Sequence, residues 1–106
     1  MKELVVVIPI YRESLLVNEL KAIDSYCSYF NDYDLFFVCS QSLNVERTQK
    51  KYPQIQYKRF KDEYFVSNKS YNALMFDISF YESFAGYKYL LIAQTDAIIY
   101  NPHKKI

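Results

Sequence analysis

The stretch Tyr87-Lys88-Tyr89-Leu90-Leu91-Ile92-Ala93-Gln94-Thr95-Asp96 limits the possible folds more than any other part of the chain. Its first part is nearly unbroken apolar sequence rich in strand formers. That is the pattern of a strand buried on both faces of a parallel sheet. Gly86 just ahead of it suits the left-handed cap that closes a helix, because it has no Cβ to clash. The run ends on a carboxylate, Asp96, before a second short apolar piece, Ala97-Ile98-Ile99-Tyr100. A charge at the mouth of a buried strand is costly to desolvate unless it is paired or binds something. In open α/β sheets, ligands sit at that edge. Asp96 is therefore the leading candidate for a functional centre.

The rest of the chain supplies the partners of that strand. Leu4-Val5-Val6-Val7-Ile8 reads as a central strand, ended by Pro9, which has no N–H for the ladder. Ile10 to Glu13 form a loop, and Ser14 is a suitable N-cap for a helix. Leu16, Leu20, Ile23, Cys27 and Phe30 recur at helical spacing, and Asn31 to Tyr33 close that helix. Asp34 to Cys39 form a second strand, which completes a βαβ unit with a right-handed crossover. Asn44 caps a short polar helix, Val45 to Lys51, stopped by Pro53. Ile55 to Phe60 alternates apolar and polar residues, as an edge strand with one wet face does. Lys61 to Phe65 read as loop. A long helix then starts at Ser67 or Ser70 and runs to about Ala85, with a very wide apolar arc that includes Phe76, Ile78, Phe80, Tyr81 and Phe84. The expected architecture is β-α-β-(α)-β-α-β, a three-layer α/β/α sandwich with a mostly parallel sheet.

At 106 residues the chain is long enough for one domain, residues 1–106, and not for two. With 51% hydrophobic residues, disorder is not expected. A net charge of +1 gives no electrostatic case for nucleic acid or a membrane surface. No run approaches the roughly 20 apolar residues of a membrane span, and the start lacks the features of a signal peptide. Cys27 and Cys39 have no metal spacing and read as reduced, buried thiols, which implies a cytoplasmic protein. With Gly 1 in the whole chain, a Walker-type or flavodoxin-like phosphate loop is excluded.

Three segments together carry a resemblance. Val5-Val6-Val7-Ile8-Pro9-Ile10-Tyr11-Arg12-Glu13 resembles the first strand and loop of GT-A-type nucleotide-sugar glycosyltransferases. Leu90 to Tyr100 is similar to their metal-motif strand, in which an apolar run meets D-x-D. Asn68-Lys69-Ser70-Tyr71-Asn72 opens the preceding helix, as a short basic-plus-Asn segment does there. Tyr71 to Met75 and Phe80 to Phe84 also look like an uncharacterised glycosyltransferase-like family with a Q-x-D motif. The resemblance implies a Rossmann-like donor-binding half-domain, truncated at its C-terminus, that binds a nucleotide-diphosphate sugar. It implies that Asp96 holds Mn²⁺ or Mg²⁺ as the second acid of D-x-D, with Gln94 in place of the first. It also implies that Lys69 and Arg12 meet phosphate, Tyr11 stacks on the base, and Ser40 and Asn72 contact the ligand.

Each assignment has a plainer counterpart. Asp96 can cap a turn, and Gln94 or Asn72 can be structural. Lys69 and Arg12 can be solvated charges, and Tyr11 can pack over its loop. No residue reads as a general base: Asp62 and Glu63 precede the helix and are expected at the surface. His103 has no partner at metal spacing. The rival reading is a non-catalytic α/β domain that binds a nucleotide or a protein partner. The wide apolar arc of the second long helix is expected to be uncovered and to promote homo-oligomers.

Overall fold

The computed structural model describes residues 2–95. Four parallel strands form one sheet in the order β3-β2-β1-β4. In chain order the elements are β1 (Lys2–Pro9), α1 (Val17–Tyr29), β2 (Asp34–Ser40), α2 (Glu46–Lys51), β3 (Gln56–Phe60), α3 (Asn68–Met75), α4 (Ile78–Glu82) and β4 (Tyr87–Ile92). A 3₁₀ turn, Asp62–Phe65, stands where the sequence read as loop. Its Asp62 Oδ1 accepts the amide of Ser42 at 3.0 Å.

β1 is the centre of the molecule. Val5, Val6, Val7 and Ile8 are completely buried, because successive side chains point to opposite faces and both faces are covered. Val6 and Ile8 join Ala22, Ile23, Tyr26 and Phe37 in one core cluster. Val5 and Val7 join Phe36, Val38, Leu74, Phe80 and Phe84 in the other. Among the described residues β3 is an edge strand, as its alternation indicated. Asn44 is not the cap of α2, a place held by Val45, but its side chain accepts the amide of Glu46 at 3.0 Å just ahead of the helix. At the amino ends of the strands, Asp34 accepts hydrogen bonds from Lys2 Nζ at 2.8 Å and from the Tyr87 hydroxyl. These donors hold its carboxyl below the usual range.

Further local expectations are corrected. β4 is not sealed on both faces. It lies outside β1 with no strand beyond it among the described residues, and Tyr89 and Leu91 are 56% and 39% exposed. An apolar run specifies a strand but not its place in the sheet. Gly86 is not left-handed: among the described residues no glycine has a positive φ. Ser14 does not cap α1. The helix begins at Val17, and the Glu19 carboxylate accepts the Leu16 amide at 2.8 Å in place of a cap hydroxyl.

The second long helix is two helices. Ser67 caps α3, with its Oγ accepting the Ser70 amide at 3.1 Å and Ser70 Oγ accepting the Ser67 amide at 3.0 Å. The helix stops at Phe76, and Asp77 takes an extended conformation (φ −84°, ψ 125°). The Asp77 carboxylate then accepts the Ser79 amide at 2.9 Å and starts α4. An aspartate side chain that competes for backbone donors favours a new N-terminus over a helix interior. The apolar arc is therefore divided. Leu74, Phe80 and Phe84 are buried, whereas Phe76, Ile78 and Tyr81 are exposed.

Candidate functional site

The strand order places a topological switch between β1 and β4. From β1 the chain proceeds through β2 to β3 on one side, then crosses back to β4 on the other. At such a point the two loops leaving the strands diverge and open a crevice at the carboxyl ends. A cleft of about 630 Å³ lies there. Tyr11 and Arg12 come from the loop after β1, and Leu16, Asn18 and Glu19 from the start of α1. Asn68, Tyr71 and Asn72 come from α3, and Gln94 and Thr95 from the end of β4.

Four residues singled out from sequence thus meet in one cleft: Tyr11, Arg12, Asn72 and Gln94. Lys69 and Ser40 do not line it. Lys69 is in the first turn of α3 and exposed. Ser40 ends β2, one strand further from the switch, and its carbonyl accepts Arg59 Nη1 at 3.0 Å. The same Arg59 nitrogen also meets the carbonyls of Gln41 and Leu43, at 3.2 and 2.9 Å, and so fastens that loop to β3. Asp96, the expected metal ligand, lies outside the described residues, as do the short apolar piece Ala97 to Tyr100 and His103.

Glu19 closes one wall, and sequence reasoning passed over it. Its side chain is 9% exposed and faces Arg12, whose Nε lies 3.1 Å from Oε1. That oxygen also accepts the Leu16 amide, while Oε2 accepts the Thr95 hydroxyl at 3.4 Å. A buried carboxylate is tolerable when a cation and hydrogen-bond donors replace its water. The signal was an acid three residues after the helix start, placed to reach back to free amides. With Nε committed, the Nη groups of Arg12 remain for a ligand.

The opposite wall is aromatic and amide. Tyr26 donates to the Gln94 carbonyl at 2.6 Å, which ties the β4 end to α1. Gln94 Nε2 donates to the Tyr71 hydroxyl at 3.2 Å. Tyr11, 40% exposed, meets Tyr71 edge-on with ring centroids 5.7 Å apart and leans on Phe65 at 6.1 Å. Burial pushes the Tyr71 phenol above its ordinary pKa, and hydrogen bonds from Gln94 and Tyr11 offset part of that rise. Tyr71 and Thr95 were also missed. Tyr71 sits among many tyrosines with nothing local to distinguish it.

A divalent cation needs several oxygen ligands. Among the described residues no group of three or more His, Cys, Asp and Glu side chains could hold one. The carboxylate of the cleft, Glu19, has both oxygens engaged.

Fold and cleft together define a parallel α/β protein with a polar, aromatic-walled crevice at its switch point. A family model described as a protein of unknown function, DUF5672, matches residues 54–105, just under half of the chain. The match takes in β3, α3, α4 and β4, and with them Asn68, Tyr71, Asn72, Gln94 and Thr95. No curated protein and no solved structure matches the chain.

Proposed function

We propose that the cleft binds a nucleotide-diphosphate sugar, as the donor-binding part of a glycosyltransferase-like domain. One observation carries this reading: Tyr11, Arg12, Asn72 and Gln94, drawn from three distant segments, converge on the crevice between β1 and β4. Their chemistry suits such a ligand. The Tyr11 ring offers a partly exposed face for a base. The Arg12 fork has Nη donors for phosphate oxygens. Asn72 and Gln94 supply neutral hydrogen-bonding groups for hydroxyls. That Asp96 adds a divalent cation rests on the sequence resemblance alone, and no step is derived through it.

A second reading, binding without transfer, is favoured by Glu19. It is the carboxylate of the cleft among the described residues, and both its oxygens are taken. A general base needs an oxygen within reach of the substrate proton. Calorimetric titration with UDP-, GDP- and other nucleotide sugars, with and without Mn²⁺, tests the proposal. Saturable binding is expected, weakened about tenfold or more by Arg12→Ala, the loss expected when a charged hydrogen bond is removed. Dependence on Mn²⁺ that disappears in Asp96→Ala would support the metal. Absence of binding by every nucleotide sugar, with or without Mn²⁺, would overturn the proposal.

A further inference from the structure

The loop between β1 and α1 has two sides. Tyr11, Arg12 and Leu16 line the cleft, whereas Glu13, Ser14 and Leu15 line a groove against α2. The two share no lining residue. The groove holds about 210 Å³ and borders, along Glu13, Ser14 and Arg47, a second and more polar hollow of about 280 Å³. Its floor is apolar and fixed. Leu15 and Leu20 stand beside Tyr52, which is buried and whose hydroxyl donates to Asp24 Oδ1 at 2.7 Å.

The rim carries an imbalance of charge. α2 has two pairs of charges at a four-residue spacing. Glu46 and Lys50 are opposite in sign and 3.7 Å apart. Arg47 and Lys51 are alike in sign, and both line the groove. A like-charge pair at that spacing destabilises a helix. Among the described residues no ion pair includes Arg47 or Lys51. Glu13 lines the groove too and pairs with neither. Arg47 is instead held from across the groove, its Nη1 donating to the Ser14 hydroxyl. The fork is thereby oriented and keeps further N–H groups for an acceptor. Lys51 Nζ lies 5.7 Å from the centre of the Tyr52 ring. The other side of the loop gives the contrast, since there the charge of Arg12 is met by Glu19.

We propose that this groove is a second binding site, for a compact organic anion: a carboxylate or phosphate monoester on a small apolar body. The oxyanion takes charged hydrogen bonds from Arg47 and Lys51 and relieves their repulsion. The body covers Leu15, Leu20 and the Tyr52 ring. Its size is set by the volume, which is below the roughly 300–1,000 Å³ of sites for drug-sized ligands.

The test titrates the ¹⁵N-labelled chain with benzoate and with phenyl phosphate and follows the backbone amide signals. Saturable shifts at Ser14, Arg47 and Lys51 are expected. Binding of benzoate alone marks a carboxylate site and of phenyl phosphate alone a phosphate site; either supports the proposal. The charge without the body (acetate or inorganic phosphate) and the body without the charge (benzamide or phenol) should each bind about tenfold or more weakly. Arg47→Ala should lose about tenfold or more, Lys51→Met about twofold to fivefold, and Arg12→Ala nothing. Glu13→Gln should tighten binding. Arg47 and Lys51 are exposed, so their substitution should leave the melting temperature unchanged. Should Arg47→Ala fail to fold, Lys51→Met and the ligand analogues decide. Wild-type affinity in both cation variants overturns the proposal, as does equal binding of the bodiless or uncharged analogues. Weaker binding by Glu13→Gln would make that carboxylate the ligand's partner and overturn it. Shifts that centre on Asn72 and Gln94 and vanish in Arg12→Ala overturn it by placing the anion in the cleft. No saturable shift with either anion overturns it and leaves the nucleotide-sugar reading standing.

Discussion

On one face of the sheet an unbroken helix of 13 residues, α1, carries Ala22, Ile23 and Tyr26 into the core, beside Val45 and Tyr52 at the two ends of α2. On the other, helices of 8 and 5 residues and the turn after them carry Leu74, Phe80 and Phe84. A continuous helix must give one stripe to the core along its whole length. The broken pair separates two tasks. α3 turns Asn68, Tyr71 and Asn72 to the cleft, while Phe80 of α4 fills the space over Val5 and Val7. The break at Asp77 leaves Phe76 90% exposed and Ile78 73% exposed. The α3–α4 side of the sheet is thus the less economically covered one.

The largest effect that probes this difference comes from one pair of substitutions. Phe76 and Phe80 are four residues apart, so on an unbroken helix they would share a face. In the structure Phe80 is fully buried and Phe76 is not. Phe80→Ala is expected to cost about 3–5 kcal/mol in denaturant unfolding, and Phe76→Ala less than about 0.5 kcal/mol. Equal and large costs would restore the single helix. Next in size, Glu19→Ala should cost about 1–3 kcal/mol, because the Leu16 amide and the Thr95 hydroxyl lose a buried partner. A loss of ligand affinity should accompany it as Arg12 is released. No change in either measurement would mean that α1 contributes nothing to the cleft.

A smaller effect depends on pH. Hydrogen bonds from Ser79 and Tyr64 hold the Asp77 carboxyl below its usual range. Its folded pKa is below the unfolded one, so its contribution is present above the ordinary carboxylate pKa of about 4. It is lost as pH falls through the folded value. Wild type should melt above Asp77→Ala at neutral pH, and the gap should narrow on acidification. A constant gap would deny the carboxylate its place at the break. Smallest of all, Phe76→Ser with Ile78→Ser should leave stability nearly unchanged and reduce any concentration-dependent association seen by sedimentation. A wild type that stays monomeric at high concentration would remove self-association as the use of that patch.

The contrast between the faces also marks what a reader of the sequence could see. Val5-Val6-Val7-Ile8 is legible as a central strand because no other position hides four such residues. α1 and the β3 edge follow from period and turn chemistry. The break at Asp77 was obscured, since Phe76 and Ile78 maintain the apolar arc across it; the Asp77-x-Ser79 cap was the available cue. The depth of β4 was not legible, because an apolar run carries no information about what lies beside it. For the cleft, Tyr11, Arg12, Asn72 and Gln94 were singled out through the resemblance of their segments to glycosyltransferase motifs. Glu19, Tyr71 and Thr95 act through contacts with residues far along the chain, such as Thr95 with Glu19, and only the tertiary structure assembles those.

The pairing of β1 with β4 sets Val5 beside Leu90, so the two sides of the cleft are joined only after nearly the whole described chain has been laid down. Closing so long a loop has the highest entropic cost of any strand pairing here, whereas β1–β2 and β2–β3 close over much shorter distances. The crevice is therefore expected to be the last part of the molecule to form and the first to open. Faster amide hydrogen exchange in Tyr89 to Ile92 than in Phe36 to Val38 would show it. A ligand seated there would act as a clasp on the finished fold, slowing the escape of that late strand as well as occupying the space beside it.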